Sequence, residues 1–404
     1  MDISAHFAPF NVARLPRIAF GVGVFSRLPA VLAAYGTRVL VVTGSRSFQA
    51  TENWDWLNRE LDDHGFTRFH CTVPGEPTPE LVDMAVQQHA GENIDVVVGI
   101  GGGSALDAAK AIAGLLRVGD SVMDYLEGVG PEKPYTGPAV PFIAVPTTAG
   151  TGSEATKNAV LSRHGPDGFK KSFRDDRLVA EHALVDPDLL IGCPAELIAA
   201  NGMDALTQLV ESWTSLRANP FTDALALSGL EAARNGLLPW YENAGGPAEI
   251  TEAPRSRMAY ASLISGITLA QVGLGAVHGL ASPLGAFFPI PHGVVCGTLL
   301  AEATDINIRA MRERDRHNPA LARYARLAEI LLETPLRDPE QGWTLLVGRL
   351  RAWSEHLQLP RLSAYGIGEG DLDHIVAHSR GSSMRTNPIE LTDAELREIL
   401  ERRL

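Results

Sequence analysis

An N-terminal α/β domain with a Rossmann-like parallel sheet, followed by an all-α domain, is the fold this sequence predicts. Short Val/Ile-rich runs alternate with amphipathic stretches in the first half, helical patterns follow one another in the second, and the character changes near residue 193. At 404 residues the chain exceeds what one core usually holds, so two domains are expected, 1–192 and 193–404.

The elements follow in order. TRVLVVTG, NWDWLNRELDDHG, FTRFHCTV, PELVDMAVQQHA and DVVVGIGGGS give βαβα order and hence a parallel sheet flanked by helices. NIDVVVGIGGGSALDAAKAIAG reads as a buried strand, a glycine turn and a helix beginning near Ser104. Backbone N–H groups and the macrodipole at such a helix start suit a pyrophosphate, and Gly101, Gly102 and Gly103 let the backbone approach it without a Cβ clash. A tight strand-to-helix turn without a ligand would use the same triplet. PFIAVPTTAGTGSEAT, residues 141–156, is a second buried strand ending in small hydroxyl and glycine residues, where Thr147 and Thr148 can bond phosphate or ribose. In DPDLLIGCPAE, Pro194 and Ala195 are placed to start the second domain. Helices are then read in AELIAANGMDALTQLVESWTS, NPFTDALALSGLEAARNGLLPWYE, PRSRMAYASLISGITLAQVG, ALARYARLAEILL, EQGWTLLVGRLRAWSEHL and DAELREILERRL.

Within that half, GAVHGLASPLGAFFPIPHGVVC carries His278 in a helix-like segment and His292 just past a Pro-Ile-Pro break. Asp204 and Gln208, at i and i+4 in GMDALTQLVESW, share a helix face. One carboxylate, one amide oxygen and two ring nitrogens make a four-point set for a divalent metal with a position open to substrate. Taken singly, each histidine also reads as a hydrogen-bonded core residue, and the Asp/Gln pair as an ordinary helix pair. Trp213, Phe287 and Phe288 adjoin these residues, as pocket lining or as core packing.

Composition narrows the partners. A formal charge of −13 without a Lys/Arg-rich run argues against nucleic acid or an anionic membrane and leaves a small molecule. Apolar runs break before about 18 residues, and MDISAHFAPFNVARLPR lacks the basic-then-apolar order of a signal peptide, so a cytoplasmic protein is expected. Cys71, Cys193 and Cys296 lack CxxC spacing; they suggest no disulfide framework or thiolate zinc site and read as small buried hydrophobes.

GGGSALDAAKAIA, PTTAGTGSEAT, DPDL, GMDALTQLVES and HGLASPLGAFFPIPHG, in that order, resemble the iron-containing (group III) alcohol dehydrogenase family, which has a dehydroquinate synthase-like fold. The resemblance spans nearly the whole chain. It implies an NAD(P)-dependent alcohol dehydrogenase or aldehyde reductase, with hydride passing between nicotinamide C4 and a substrate polarised by Fe2+ or Zn2+ in the interdomain cleft. It further implies that the loop Gly101–Ser104 binds the pyrophosphate, that Asp107 lies near the nicotinamide, and that Thr147 and Thr148 contact the cofactor. Asp204, His278 and His292 would hold the metal in a homodimer or larger assembly, and FNVARLPRIAFGVG resembles the family's N-terminal strand, which can pair across a dimer.

The sequence departs from the family pattern at three places. Where NAD-using members carry an acidic residue after the second strand, this chain has Gly44, then Ser45 and Arg46. Unit charges about 4 Å apart interact by roughly 4 kcal/mol at an effective dielectric near 20, so losing the carboxylate favours a 2′-phosphate and NADP(H); GSRS also reads as a plain turn. Gln208 stands at a usual metal histidine, offering a weaker amide oxygen as ligand or as a hydrogen-bond partner of bound water. Ser282 stands at a usual proton-relaying histidine, so the relay falls to Ser282 and the cofactor ribose beside the metal-type His278. Two alternatives stay open: a metal-independent reductase resembling maleylacetate reductase, which Gln208 supports, and a lyase resembling dehydroquinate synthase.

Overall fold

The computed structural model describes residues 8–165 and 167–404; residues 1–7, where the stretch read for a leader begins, lie outside it. Its strands are β1 (Arg17–Phe20), β2 (Arg38–Gly44), β3 (Thr67–Val73), β4 (Val96–Gly101), β5 (Phe142–Pro146), β6 (Asn158–Arg163), β7 (Phe169–Arg174) and β8 (His182–Val185). Six form one sheet in the order β1-β8-β5-β4-β2-β3, with every neighbouring pair parallel. The predicted α/β half is thus observed. β6 and β7 form a separate antiparallel hairpin, which the sequence reading did not contain.

Strands β2 and β4 are continuous Val/Ile runs because helices cover both sheet faces: α1 (Leu28–Ala33), α2 (Glu52–Asp63), α3 (Pro79–His89) and α4 (Gly103–Leu115). Side-chain alternation sends Val39, Val41, Val96 and Val98 to one core with Leu57 and Leu61 of α2. It sends Leu40, Val42 and Val97 to the other, with Val82 of α3 and Leu106 and Ile112 of α4. From β2 the chain first builds outward to β3, then returns to place β4 on the opposite side of β2. That reversal is the topological switch point, where open α/β sheets leave a crevice at the carboxyl ends of their strands. Here it lies between the ends of β2 and β4, at Gly44 and Gly101.

The second half is helical, as predicted: α5 (Ala195–Thr214), α6 (Pro220–Glu242), α7 (Ala248–Val272), α8 (Ala276–Phe287), α9 (His292–Arg314), α10 (Pro319–Leu332), α11 (Pro339–His356), α12 (Leu372–Ala377) and α13 (Asp393–Glu401). The sequence reading named neither α9 nor α12. No single helix among the described residues is long and apolar enough to cross a membrane; α7 and α8 meet at a bend of 101°.

The DPDL segment joins the halves. Asp186 accepts from the Phe25 N–H on one side (2.9 Å). On the other, the Arg255 guanidinium of α7, 1% exposed, donates to the Pro187 carbonyl (2.8 Å) and the Asp188 carboxylate (2.7 Å).

Candidate active site

Helix α4 begins at the crevice with Gly102 as its N-cap and no side-chain cap, and Gly102, Gly103 and Ser104 are only half-buried. The first N–H groups of the helix therefore face the crevice without a protein side chain to satisfy them. The second loop packs directly on this turn. The Thr147 N–H donates to the Gly101 carbonyl (2.9 Å), and a Cβ on Gly103 would lie 2.8 Å from Thr151 Oγ1, so glycine is needed there for close approach. Thr147 and Thr148 border the same crevice, Thr148 against Gly102. Ser45 and Arg46 are exposed just past the end of β2.

Asp107, one turn into α4, has both carboxylate oxygens bonded within the protein. Oδ1 accepts from Ser153 Oγ (2.5 Å) and Lys110 Nζ (3.4 Å), and Oδ2 from the Val160 N–H (3.1 Å). Fully buried Lys110 also donates to the Ser153 and Asn158 carbonyls (2.9 and 2.6 Å) and to Thr156 Oγ1 (3.1 Å). The pair fastens helix, second loop and hairpin together. Beside it, burial pushes the Glu154 carboxyl up to about 7, against its own backbone N–H and Lys110.

The metal-type residues come from three helices. Asp204 and Gln208 lie on α5, His278 on α8, and His292 is the first residue of α9. Asp204 Oδ1 is 3.3 Å from His278 Nε2 and 3.8 Å from His292 Nε2. Gln208 Nε2 donates to Asp204 Oδ1 (3.2 Å), and its Oε1 accepts from Ser265 Oγ (2.7 Å). The sequence reading missed Glu211, which shares the α5 face with Asp204 at i+7. One Glu211 oxygen accepts from the Val277 N–H at the start of α8 (2.7 Å), and the other lies 2.6 Å from His278 Nδ1. The carboxylate thus holds the hydrogen on Nδ1 and aims Nε2 at Asp204, as carboxylate partners of metal-bound histidines do.

Cys296 completes the cluster. One turn after His292 on α9, its sulfur lies 3.6 Å from His278 Nε2 and 3.7 Å from His292 Nε2. Single donor atoms of Asp204, His278, His292 and Cys296 all lie within 4.8 Å of one another. Cys296 is buried in the apolar core with Leu280 and Leu299, as its reading as a small buried hydrophobe expects, but its sulfur also borders the polar donors; Cys71 and Cys193 are only partly buried. The i,i+4 spacing from His292 was the available signal, and it required reading α9 as a helix.

Electrostatics favour a cation here. Burial alone would raise Asp204, but the His292 and His278 rings pull it below the usual carboxylate range. Burial, resisted by Asp204, lowers His292 to about 4, leaving a neutral ring with a lone pair. Burial also works against charge on His278, yet the Glu211 and Asp204 carboxylates push its pKa above the usual value, while burial pushes the Cys296 thiol up to about 12. A buried carboxylate and two convergent imidazoles, backed by a second buried carboxylate, fit a divalent metal in place of that proton.

Around this cluster, Ser282 sits one turn past His278, its hydroxyl donating to the Lys170 carbonyl of β7 (3.0 Å). Lys170 Nζ pairs with Glu76 (2.5 Å), which also accepts from Ser162 Oγ (2.6 Å), and the Lys170 and Glu76 charges both act on His292. No motif in the sequence marks Glu76 or Lys170. Trp213 packs in the helical core, its indole N–H donating to the Arg323 carbonyl (2.9 Å). Phe287 lies tilted against His374 and edge-on to His378, and half-buried Phe288 packs against the core that contains Cys296.

The two halves of the site touch. A Cβ on Gly150 of the second loop would lie 2.8 Å from that of Asn201, one turn before Asp204, and Gly152 meets Gly266 of α7, next to Ser265, backbone to backbone. A phosphate-type loop docked within a turn of a buried carboxylate and imidazole cluster fits a class of protein, the nicotinamide-linked dehydrogenases that set a metal beside the cofactor. Family matches narrow that class. The family described as iron-containing alcohol dehydrogenase matches residues 16–187, and its C-terminal domain, the Fe-containing alcohol dehydrogenase family, C-terminal, matches residues 198–404. The chain belongs to the iron-containing alcohol dehydrogenase family, and is an NAD(P)-dependent oxidoreductase acting on CH–OH groups.

Similar proteins include alcohol dehydrogenase 4 of Schizosaccharomyces pombe, 31% identical over 99% of this chain and 89% of the relative. Long-chain-alcohol dehydrogenase 1 of Geobacillus thermodenitrificans is 30% identical over 97% of this chain and 96% of its own length. Among solved structures, an archaeal halo-thermophilic Red Sea brine pool alcohol dehydrogenase superposes with a TM-score of 0.88 at 26% identity, covering 98% of this chain and 99% of that one.

Proposed function

We propose that the protein oxidises an alcohol, or reduces the corresponding aldehyde, with NADP(H) in preference to NAD(H) and a divalent metal in the cleft. The carrying observation is the docking of the second loop on the helical half, Gly150 against Asn201 within a turn of Asp204 and Gly152 against Gly266 of α7. When bound, the nicotinamide supplies or accepts hydride and the metal polarises the substrate oxygen as a Lewis acid.

The chain's residues divide the remaining work. Asp204, His278 and His292 hold the metal, and Glu211 fixes the His278 ring. The open N-terminus of α4, with Gly101, Gly102, Gly103 and Ser104, receives the pyrophosphate. Thr147 and Thr148 line its far side, and Asp107 with Lys110 keeps helix and loop in register. Ser45 and Arg46 at the end of β2 bind the 2′-phosphate, where Gly44 leaves no carboxylate to repel it. Ser282 accepts the substrate hydroxyl proton as it passes its own to the cofactor ribose or to water. To do so its hydroxyl turns away from the Lys170 carbonyl, forfeiting about 0.5–1.5 kcal/mol of net hydrogen bonding.

We further propose a cytoplasmic homo-oligomer. The exposed edge strand β1, with Ile18 and Phe20 at the surface, supports pairing with a second copy.

Steady-state oxidation of primary alcohols with either cofactor tests the reading. The expected result is a kcat/KM higher with NADP than with NAD, the gap closing in Arg46→Ala. Equal values in wild type and variant would remove the 2′-phosphate assignment. No net cofactor turnover with any alcohol or aldehyde would favour a lyase.

A further inference from the structure

We propose that Cys296 is a metal ligand in this chain, its thiolate making up the ligand lost where Gln208 stands in place of histidine. The proposal rests on the metal assignment above and extends it to a residue outside the Asp204, His278 and His292 set.

The geometry carries it. With bonds of about 2.1 Å to nitrogen or oxygen and about 2.3 Å to sulfur, tetrahedral angles place N or O donors roughly 3.4 Å apart, and nitrogen and sulfur roughly 3.6 Å apart. The carboxylate-to-ring edges here are 3.3 and 3.8 Å. The sulfur-to-ring edges are 3.6 and 3.7 Å. Four of the six edges thus match a coordination tetrahedron and the other two lie within 4.8 Å, in a region where Asp204 and Cys296 are sealed from water.

Gln208 is differently engaged. Its amide nitrogen holds Asp204 Oδ1 and its oxygen takes the Ser265 hydroxyl, so it orients the Asp204 carboxylate while Cys296 coordinates. Helix α9 makes this possible by starting at His292, which puts His292 and Cys296 on one face a turn apart. The protein still offers four ligands, and substrate enters as a fifth.

Two consequences follow. A thiolate is a softer ligand than an imidazole, so the site selects Zn2+ over Fe2+ more strongly than a set of one carboxylate and three histidines would. Two anionic ligands also neutralise a divalent ion, making it a weaker Lewis acid than one bearing a single carboxylate.

The test strips the full-length protein of metal and reloads it with Co2+ alone. The wild type is expected to bind a single cobalt per chain and to show an intense sulfur-to-cobalt charge-transfer band in the near ultraviolet. Cys296→Ser should keep cobalt but lose the band, and its zinc affinity should fall about 100-fold or more, since even changes to partners of ligands cost 10–100-fold. Cys71 lies on β3 and Cys193 precedes α5, both outside the donor cluster, so the wild-type band is diagnostic even if the variant misfolds. Stoichiometric cobalt without the band in wild type would overturn Cys296 as ligand and leave the metal site standing. Failure of the folded wild type to bind cobalt would overturn both assignments.

Discussion

At the scale of single residues, Glu211 decides how His278 behaves. Its carboxylate is bonded both to the start of α8 and to the ring, so Glu211→Gln should leave the helices intact while weakening metal binding about 10–100-fold. Competition against a chelator of known affinity measures this, and an unchanged affinity would show that the contact does not tune the ligand. Glu154 supports a pH prediction. Its carboxyl, pushed by burial up to about 7, is raised above its unfolded value, so its stabilising contribution is complete below about pH 4.5, falls as pH rises and is gone above 7. Glu154→Gln should therefore gain up to about 3 kcal/mol relative to wild type at pH 8 and much less at pH 5. Denaturant midpoints at the two pH values check this; a pH-independent gap would contradict it. The convergence of Asp204, His278 and His292 was legible because their types and spacing match a ligand set. Glu76 and Lys170, distant in sequence and in no motif, meet only through the fold.

At the scale of elements, α4 with its glycine turn and α5 with its i,i+4 pair were readable from periodicity and small-residue spacing. Helix α9 was not, because HGVVCGTLLAEATDINIRAMRER mixes glycine and β-branched residues along its length and follows a Pro-Ile-Pro break. Missing α9 hid the relation between His292 and Cys296. The reading also began α7 at Pro254, as proline commonly opens a helix, whereas the helix starts at Ala248 with Pro254 inside it. The β6–β7 hairpin escaped because its pairing is short, partly exposed and fixed to α4 through Asp107 and Lys110. The contact of the second loop with α7 gives an element-level prediction. A Cβ at Gly266 would lie 2.1 Å from the Gly152 carbonyl oxygen, so Gly266→Ala should force loop and helix apart, destabilising the fold by about 1–3 kcal/mol and raising KM for the cofactor. Thermal unfolding and cofactor kinetics measure the two effects, and an unchanged KM would dissociate the docking from cofactor binding.

At the scale of the whole molecule, the sheet and the helical half act together only if the DPDL junction is held. Arg255, buried and bonded to Pro187 and Asp188, is the side chain that ties α7 to that junction. Because Asp188 keeps some solvent contact, Arg255→Ala should cost about 3 kcal/mol, near the low end for breaking a buried pair, and lower kcat along with Tm. Loss of stability with kcat intact would separate the junction from the geometry of the cleft. The two-half architecture was legible from the switch between strand-and-helix alternation and uniform helical periodicity. The contacts that bring cofactor loop and metal cluster together were not, since they depend on which glycines meet across the interface. The most direct measurement is elemental analysis of the full-length protein purified without chelators, alongside His292→Ala, with alcohol-dependent reduction of NADP followed in both. The account predicts a single divalent metal per chain, lost with the activity in the variant. Metal-free protein that still turns over NADP with an alcohol would contradict it.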